Sequence, residues 1–290
     1  MYDDQIITIV LPCHNQHRIV QMCIDLLKKQ TIQPDYILVV DDHSIEFNIK
    51  EDEVVKVFNL LERGRVYNRN TGIQKALDLN SDIIIFMDGD CIPENNLYIE
   101  NYLKFTLEKP TMVFGMRKHI PRPKKLEDFN FNFKYESIEI VKYPSDLLTA
   151  NLDKDKNFDC TDLRTVAGVT RRFNNIKEFD EKAFMITTGM ATWSCNFLMN
   201  KSAALLLKSF MNDIYKVNGW FDYTRFGDSW GGEDNAFGLD ALFAGVNILM
   251  TENAKILHFM HERSDQLNTH VKLNHTMMTR YKNLLLNLKK

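Results

Sequence analysis

Short apolar runs alternate with segments of helical periodicity over the first 115 residues of the chain. The runs at 6–11, 36–40, 54–58 and 83–87 have the length of buried strands. Between them, apolar positions recur every three or four residues, which predicts helices that end near Gln30 and Asn80. Strands that alternate with helices form βαβ units. We therefore predict an α/β fold with a mostly parallel sheet flanked by helices.

The second half of the chain shows a weaker pattern. It predicts a helix after Asn200, with Asn200 or Ser202 as its cap, then a helix at 235–244 and a strand at 246–250. The basic, proline-interrupted stretch 117–125 is typical of a solvated loop, and 126–182 has no clear pattern. The C-terminal end predicts a basic amphipathic helix that packs on the body of the protein. A weak contact with a membrane surface or a second copy is the alternative.

Composition excludes several classes of protein. With 290 residues and 44% hydrophobic content, the chain can form one large domain or two closely packed ones. A net charge of −3 argues against a general affinity for nucleic acid or anionic membranes. Five cysteines without CxxC spacing favour neither a disulfide framework nor a zinc site, so we expect a reducing compartment. The acidic N-terminus, with only six apolar residues in a row, predicts no signal peptide or anchor, hence a cytoplasmic protein.

Polar groups follow three of the predicted strands. They are Pro12 and Asn15 after the first, Asp41 and Asp42 after the second, and Asp88 and Asp90 after the fourth. Parallel strands bring their carboxyl ends to one edge of a sheet, where ligands of open α/β proteins bind. Asp88-Gly89-Asp90 offers hard oxygen ligands for a divalent cation that also holds phosphate oxygens. An ordinary acidic turn is the alternative for this tripeptide alone.

Several stretches together resemble a known family. IVLPCHN, VVDDHS and GRVYNRNTGIQKALDLNSDIIIFMDGD are similar to motifs of glycosyltransferases with the A-type, Rossmann-like nucleotide-sugar fold (GT-A), especially family 2. SWGGEDNAFG resembles a second-half motif of galactosyl- and N-acetylgalactosaminyltransferases, and ATWSCNFLMNKSAAL resembles the segment near the donor sugar. The likeness covers most of 6–115 and 188–265 but not 117–184.

The resemblance implies a division of one large domain. Residues 1–115 would form the nucleotide-sugar-binding half, 116–187 a variable insertion on the acceptor side, and 188–265 the acceptor and catalytic half. Residues 266–290 would form a helical tail. The implied activity is metal-dependent transfer of galactose, N-acetylgalactosamine, N-acetylglucosamine or glucose from a UDP-sugar to a hydroxyl group. A glycan, glycolipid or protein is the expected acceptor, and a nucleic acid is less favoured because the chain lacks positive charge.

The resemblance also implies which residues bind the donor. They are Pro12, Asn15, Asp41, Asp42, Arg69, Asn70, Gly72 and Asp88. Asp42, with Asp41 beside it, would accept the N3–H of uracil, because an ionised carboxylate is a pure acceptor. Arg69 and Asn70 would lie near uracil and ribose, and Gly72 would keep their helix close to the sheet. A surface position on the helix is the alternative for Arg69.

Metal ligands follow from the same resemblance. Asp90 would bind Mn²⁺ or Mg²⁺ directly, and Asp88 would contact the metal or the ribose. Either His258 or His261 would complete the site, but not both, because residues of odd spacing on a strand point to opposite faces.

Catalytic residues come from the WGGED stretch. Asp234 would be the general base, with Glu233 positioning the acceptor and Trp230 stacking on a sugar ring. Gly231 and Gly232 would allow the turn, and Asn196 would add an acceptor contact. A single base of this kind implies inversion at the anomeric carbon, although some relatives with a similar motif retain configuration. Helix N-terminal charge is the alternative for the two acids.

Two other functions share the predicted fold. A sugar nucleotidyltransferase would carry a Gly-rich loop with Arg and Lys after the first strand, and LPCHNQHR does not match it. A non-catalytic nucleotide- or glycan-binding protein is the other alternative, and activity of Asp234→Asn would distinguish it from an enzyme.

Overall fold

The computed structural model describes residues 4–61, 63–105, 107–120, 157–159, 194–226 and 233–259. Its strands are β1 (Ile7–Cys13), β2 (Tyr36–Asp41), β3 (Val55–Asn59), β4 (Ile83–Met87), β5 (Cys91–Pro93), β6 (Thr111–Ile120), β7 (Asn157–Asp159), β8 (Asn196–Asn200) and β9 (Asn247–Phe259). Its helices are α1 (His17–Leu27), α2 (Arg65–Asp78), α3 (Tyr98–Leu103), α4 (Lys201–Tyr215), α5 (Tyr223–Phe226) and α6 (Glu233–Ala244).

All described strands join one sheet in the order β3-β2-β1-β4-β8-β6-β9-β5, and β7 pairs with β9. Strands β3, β2, β1 and β4 are parallel to one another, as the alternation of strands and helices predicts. The other half is mixed, because β8 runs antiparallel to both β4 and β6 while β9 is parallel to β6. The predicted α/β fold is confirmed, with the parallel character concentrated in the first half of the chain.

Apolar layers cover both faces of the sheet. Alternate residues of a strand point to opposite faces, so Val10 belongs to the layer under α2, α4 and α6 while Ile9 belongs to the layer under α1 and α3. Helix α2 lies very close to β1, since a Cβ on Gly72 would stand 2.3 Å from Val10 Cγ1. Any larger residue at this position would push α2 and its polar side chains away from the sheet edge.

Three elements differ from the sequence expectations. Strand β8 occupies Asn196–Asn200, where the apolar run was expected to lead directly into a helix. Strand β6 continues to Ile120, so 117–120 is paired strand and not a solvated loop. Strand β9 runs on to Phe259, well beyond the predicted end at residue 250.

Other expectations hold or lie outside the described ranges. Asn200 caps α4 by accepting a hydrogen bond from the Ala203 N–H at 2.9 Å. Helix α1 ends three residues before Gln30, and α2 ends two residues before Asn80. The predicted tail helix at 266–290 and most of the 116–187 insertion lie outside the described residues. None of the helices that the structure describes is long and apolar enough to cross a membrane.

Candidate active site

The polar ends of β1, β2 and β4 lie at one edge of the sheet, as parallel pairing requires. Cys13 is in register with Asp41, and the Asp42 N–H donates to the Cys13 carbonyl at 2.8 Å. The turn after β4 packs closely on this edge, since a Cβ on Gly89 would stand only 2.2 Å from the Pro12 carbonyl oxygen. Glycine at position 89 therefore lets the turn between Asp88 and Asp90 sit against β1.

Asp41 and Asp42 are buried, and the backbone holds one oxygen of each. Asp42 Oδ1 accepts from the Gly64 N–H at 3.0 Å, just before α2, and Asp41 Oδ2 accepts from the Ser44 N–H at 3.1 Å. Asp41 Oδ1 has no hydrogen-bond partner among the described residues. The predicted base-binding acids are thus fixed in orientation by loops on both sides of the crevice.

His14 adds a second layer to this end of the crevice, which sequence analysis did not identify. Its Nδ1 lies 2.6 Å from the Asp42 carbonyl oxygen, which can only accept, so Nδ1 is the donor of this hydrogen bond. Asn15 Nδ2 and the Arg63 guanidinium lie 3.1 and 3.3 Å from His14 Nε2. Asn15 also adopts a left-handed conformation (φ 56°) and accepts from the Ile45 N–H. It therefore shapes the loop after β1.

Arg69 lies at the centre of an acidic cluster. Its Nη1 donates to Glu233 Oε1 at 3.1 Å and to Asp234 Oδ1 at 2.9 Å, and its Nη2 lies 3.3 Å from Asp88 Oδ1. The side chain is 3% exposed and its guanidinium lies over the Phe221 ring, 5.5 Å from the centroid. Burial acts to lower the pKa of Arg69, but Asp234, Asp88 and Glu233 outweigh it and raise that pKa.

Glu233 is the most deeply buried acid of the cluster. Arg65, one helical turn before Arg69, donates to the same Oε1 at 2.9 Å. Burial acts to raise the pKa of Glu233, yet the two arginines outweigh it and lower that pKa. The described contacts of Glu233 are thus with arginines, and its acceptor contact stays a prediction. The i,i+4 spacing of Arg65 and Arg69 was the available signal for a two-arginine site.

Asp234 is the more accessible of the two acids. Its side chain is 34% exposed, and Ser194 donates to Oδ1 from the residues just before β8. Burial raises the pKa of Asp234 to about 6, with Arg69 acting to lower it and Glu233 adding to the rise. A carboxylate with a raised pKa that is still ionised at neutral pH is well suited to accept a proton.

Asp90 has a different described partner from Asp88, the histidine His258. Its Oδ2 lies 3.3 Å from His258 Nε2, and His258 Nδ1 lies 3.1 Å from His119 Nδ1. The two histidines are register partners on β9 and β6. Sequence analysis predicted His258 but not His119, because the stretch that contains His119 was expected to be a loop.

The donor atoms on this side fit a hard divalent cation. Two ligands that each lie about 2.0–2.1 Å from Mg²⁺ in an octahedron are about 3 Å apart, close to the 3.3 Å between Asp90 Oδ2 and His258 Nε2. Within the described ranges no group of three or more His, Cys, Asp and Glu side chains is arranged around one point. Asp88 is turned to Arg69, and His261 lies outside the described residues.

Two predicted contact residues make internal contacts. Asn196 is fully buried, and its Oδ1 accepts from the hydroxyls of Tyr98 and Tyr102 at 2.7 Å each. Its Nδ2 donates to carbonyls of β6 and β9, so the described contacts of Asn196 are internal and its acceptor contact stays a prediction. Asn70 accepts from the N–H groups of Trp220 and Phe221 and donates to the Phe221 carbonyl. Its described contacts fix the chain before α5.

The predicted sugar-stacking turn of Trp230, Gly231 and Gly232 lies outside the described residues. The described part of this motif is the start of α6, where Glu233 and Asp234 occupy the first turn. Negative charge there is favourable on its own. The two acids also form ion pairs with Arg65 and Arg69, and these pairs join α6 to α2.

Comparison with known proteins gives a family match. The model of the family described as "Glycosyl transferase family 2" matches residues 8–202. A curated relative, the O-antigen chain rhamnosyltransferase RfbN of Salmonella typhimurium, is 29% identical over 154 residues. That alignment covers 49% of this chain and 46% of the relative, so it spans about half of either protein.

Solved structures show the same fold at low identity. S. aureus TarS 1-349 matches 96% of this chain and 69% of its own, with a TM-score of 0.55 and 14% identity. GalNAc-T7 with UDP, GalNAc and Mn²⁺ matches 97% of this chain and 49% of its own, with a TM-score of 0.59 and 14% identity. TarS 1-349 in complex with UDP-GlcNAc matches 96% of this chain and 70% of its own, with a TM-score of 0.55 and 14% identity.

Proposed function

Because the chain belongs to glycosyl transferase family 2, we propose that it transfers a sugar from a UDP-sugar to a hydroxyl group of an acceptor, with Asp234 as general base. The observation that carries the proposal is the position of Asp234. Its partly exposed carboxylate shares the Arg69 guanidinium with Asp88, which directly follows β4 at the edge where ligands of such sheets bind. A proton acceptor and the proposed diphosphate end of the donor site thus share one arginine.

The proposed reaction is a single displacement. The acceptor oxygen forms a bond to the anomeric carbon while the bond from that carbon to the diphosphate oxygen breaks. The electron pair leaves with the nucleoside diphosphate, and the hydroxyl proton passes to a carboxylate oxygen of Asp234. Attack from the side opposite the leaving group inverts the anomeric configuration. Asp234 is deprotonated above its pKa of about 6, so it can act as base at neutral pH.

A divalent cation, Mn²⁺ or Mg²⁺, is part of the proposal. Asp90 and His258 would hold it. The Asp90 carboxylate oxygen suits both ions, and the imidazole nitrogen of His258 favours Mn²⁺ over the harder Mg²⁺. When bound, the cation neutralises charge on the departing diphosphate. The structure of GalNAc-T7 with UDP, GalNAc and Mn²⁺ supports this assignment by its similar fold.

The donor sugar has two candidate classes. TarS in complex with UDP-GlcNAc and GalNAc-T7 with UDP and GalNAc support a uridine donor carrying an N-acetylhexosamine. The rhamnosyltransferase relative supports a rhamnosyl donor instead. Asp42 would accept a pyrimidine N3–H in either case. The two classes differ in polar groups on the sugar, so a panel of nucleotide sugars distinguishes them.

The decisive experiment is thermal unfolding of the full chain with nucleotides and nucleotide sugars, with and without Mn²⁺. The panel contains UDP, UDP-Gal, UDP-GalNAc, UDP-GlcNAc, UDP-Glc and a nucleoside diphosphate-rhamnose. A ligand that binds only the native state raises the unfolding midpoint by mass action. We expect one of these compounds to raise the midpoint, to require Mn²⁺ for the full effect, and to lose this metal-dependent stabilisation in Asp90→Ala.

Release of nucleoside diphosphate then tests turnover with a panel of glycan, glycolipid and peptide acceptors. Asp234→Asn should keep the metal-dependent stabilisation and lose transfer. Stabilisation by nucleotide sugars without release of nucleoside diphosphate for any acceptor would favour the non-catalytic binding protein. Formation of a nucleotide sugar from a sugar phosphate and UTP would identify a nucleotidyltransferase, and absence of any stabilisation would refute the donor site.

A further inference from the structure

The Arg69 guanidinium is occupied by acidic side chains from three parts of the chain. It contacts Asp88 after β4 and both acids at the start of α6, at 2.9–3.3 Å. One of its faces lies over Phe221, whose ring stacks on Phe237 at 4.1 Å. The family resemblance predicts Arg69 near the uracil and ribose of the donor. Its described contacts instead join the turn after β4 to the proposed general base.

Charge balance shows what Arg69 does for these acids. Glu233, Asp234 and Asp88 bring three negative charges together, and Arg65 and Arg69 bring two positive ones. Of the two arginines, Arg69 is the one whose ion pairs with Asp234 and Asp88 the structure describes. Arg69 is 3% exposed but Asp234 is 34% exposed, so water also solvates this carboxylate. Loss of the nearby opposite charge still favours the protonated form of Asp234 and removes one of the donors to Oδ1.

Two hydrogen bonds to the same oxygen also fix the orientation of the Asp234 carboxylate. Arg69 Nη1 and the Ser194 hydroxyl both donate to Asp234 Oδ1. With Oδ1 held in this way, Oδ2 is the oxygen that can take a proton from an acceptor. Arg69 cannot turn, because Nη2 is held by Asp88 and Nη1 also by Glu233.

We propose that Arg69 is a positioning residue for catalysis: it holds Asp234 ready to accept the acceptor proton and ties that base to the Asp88 turn, and it does not recognise the nucleobase. The inference rests on the proposed function of Asp234 as general base. It differs from the role implied by the resemblance, in which Arg69 serves donor binding.

Loss of Arg69 has a defined effect on proton binding by Asp234. Among the described residues, the charged or titratable groups that interact with Asp234 are Arg69 from α2, its neighbour Glu233, Asp88 and the Cys195 thiol, whose pKa burial raises to about 12. Arg69 is the cation among these groups. An opposite charge at such a distance lowers the pKa of a carboxyl group by about one to three units. Without Arg69, Asp234 would stay protonated to higher pH. The acidic limb of the profile of kcat against pH would therefore shift to higher pH.

The test compares Arg69→Gln and Arg69→Lys with Arg65→Gln as the matched arginine on the same face of α2. For each variant, kcat and the donor KM are measured from pH 5 to 8.5, and UDP–Mn²⁺ stabilisation is measured by thermal unfolding. We expect Arg69→Gln to lower kcat by about ten- to a hundredfold and to move the acidic limb upward by about one unit or more, within the range attributed to a general base. Donor KM and UDP stabilisation should change less than about twofold, well below the effect of a lost charged hydrogen bond.

Arg69→Lys keeps the charge but not the fork of donors, so its acidic limb should stay close to that of wild type while kcat falls. Arg65→Gln should move the limb less than Arg69→Gln, because the described ion pair of Arg65 is with Glu233. If Arg69→Gln does not fold, Arg69→Lys decides through its kcat and donor KM. A raised donor KM, with lost UDP stabilisation and an unmoved limb, would overturn the proposal in favour of nucleobase recognition.

Titration of Asp234 followed by carboxyl ¹³C resonances separates this inference from the proposed function. Asp234→Asn assigns the resonance, and the measurement needs no turnover. A higher midpoint in Arg69→Gln than in wild type supports the positioning role even if no acceptor is converted. An unchanged midpoint refutes that role, whether or not the protein proves to be a glycosyltransferase.

Discussion

The two aspartates of one tripeptide, Asp88 and Asp90, lie in very different surroundings. Asp88 faces the arginine side of the site, formed by Arg65, Arg69, Glu233 and Asp234. Asp90 faces the histidine side, formed by His119 and His258. The single residue between them, Gly89, lies against the Pro12 carbonyl. One turn thus holds two acids that face different partners.

Charge explains the difference in what each side can do. On the arginine side, Arg65 and Arg69 offset much of the negative charge of the acids. The Asp234 carboxylate there is partly exposed. On the histidine side, Asp90 Oδ2 lies 3.3 Å from His258 Nε2, which places a carboxylate oxygen beside an imidazole nitrogen. We therefore place the proposed divalent cation on the histidine side and the proposed proton transfer on the arginine side.

The largest effect should come from Asp234→Asn on the arginine side. We expect transfer to fall by about 10²–10⁴-fold, because a positioned general base contributes that much. Stabilisation by UDP and Mn²⁺ should persist, since Asp90 and His258 are untouched. Initial rates and thermal unfolding of the same preparation test both halves of the expectation. Transfer within tenfold of wild type would show that another group takes the proton.

His119→Gln should affect the histidine side alone. If the His258 Nδ1–H donates to His119 Nδ1, then His258 Nε2 keeps its lone pair for a cation. Losing such a supporting partner weakens metal binding by about 10–100-fold. Titration of Mn²⁺ into the UDP complex, followed by electron paramagnetic resonance, measures the affinity. His17→Gln, which removes an imidazole from α1, is the control.

The two sides also predict different kinetic signatures. The activity lost in His119→Gln should be restored by a higher Mn²⁺ concentration. The activity of Arg69→Gln and of Asp234→Asn should not change with Mn²⁺ concentration. Loss of activity in His119→Gln that persists at saturating Mn²⁺ would contradict the separation of the two sides.

Asn196→Ala should change stability more than either function. Asn196 receives both tyrosine hydroxyls and ties β6 and β9 together, next to the chain that leads to Ser194. Leaving buried hydroxyls without partners costs about 1–3 kcal/mol each. Urea unfolding gives the loss, and the acceptor KM should stay unchanged. A raised acceptor KM without loss of stability would support the acceptor role that the resemblance implies.

The sequence was most informative where function depends on local order along the chain. Apolar runs end at Asp41 and Asp88, and parallel strands must bring such ends together, so the donor edge could be predicted. The cap at Asn200 is likewise a local signal. These features need no knowledge of which distant segments pair.

The sequence was least informative where long-range pairing decides the contacts. His119 and His258 are 139 residues apart and meet only because β6 pairs with β9. Arg65 and Glu233 are 168 residues apart and meet where α2 faces α6. Asn196 reads as a polar site residue in sequence, but the intervening strand β8 places it in the core. Periodicity along the chain carries no information about these partners.

The smallest predicted effect is a pH-dependent change in stability that belongs to the arginine side. The pKa of Asp234 is raised in the native state from 3.8 to about 6, so the native state binds its proton more tightly than the unfolded chain does. This group therefore favours folding below pH 4, and that contribution is lost as the pH rises toward 6. Glu233, with its lowered pKa, acts in the opposite direction and loses its stabilising contribution as the pH falls.

Asp234→Asn removes the first of these contributions and keeps the Glu233 carboxylate. The Tm of the variant relative to wild type should thus increase between pH 4 and pH 6.5, by a few degrees, since 1 kcal/mol moves Tm by roughly 2–4 °C in domains of 150–250 residues. Asp78→Asn, which removes an exposed carboxylate from the end of the helix that carries Arg69, controls for the loss of one charge. An equal trend in both variants would mean that the buried cluster is not its source. A trend in Asp234→Asn alone would show that the proposed base is held at a cost to folding, as expected of a carboxylate kept ready to accept a proton.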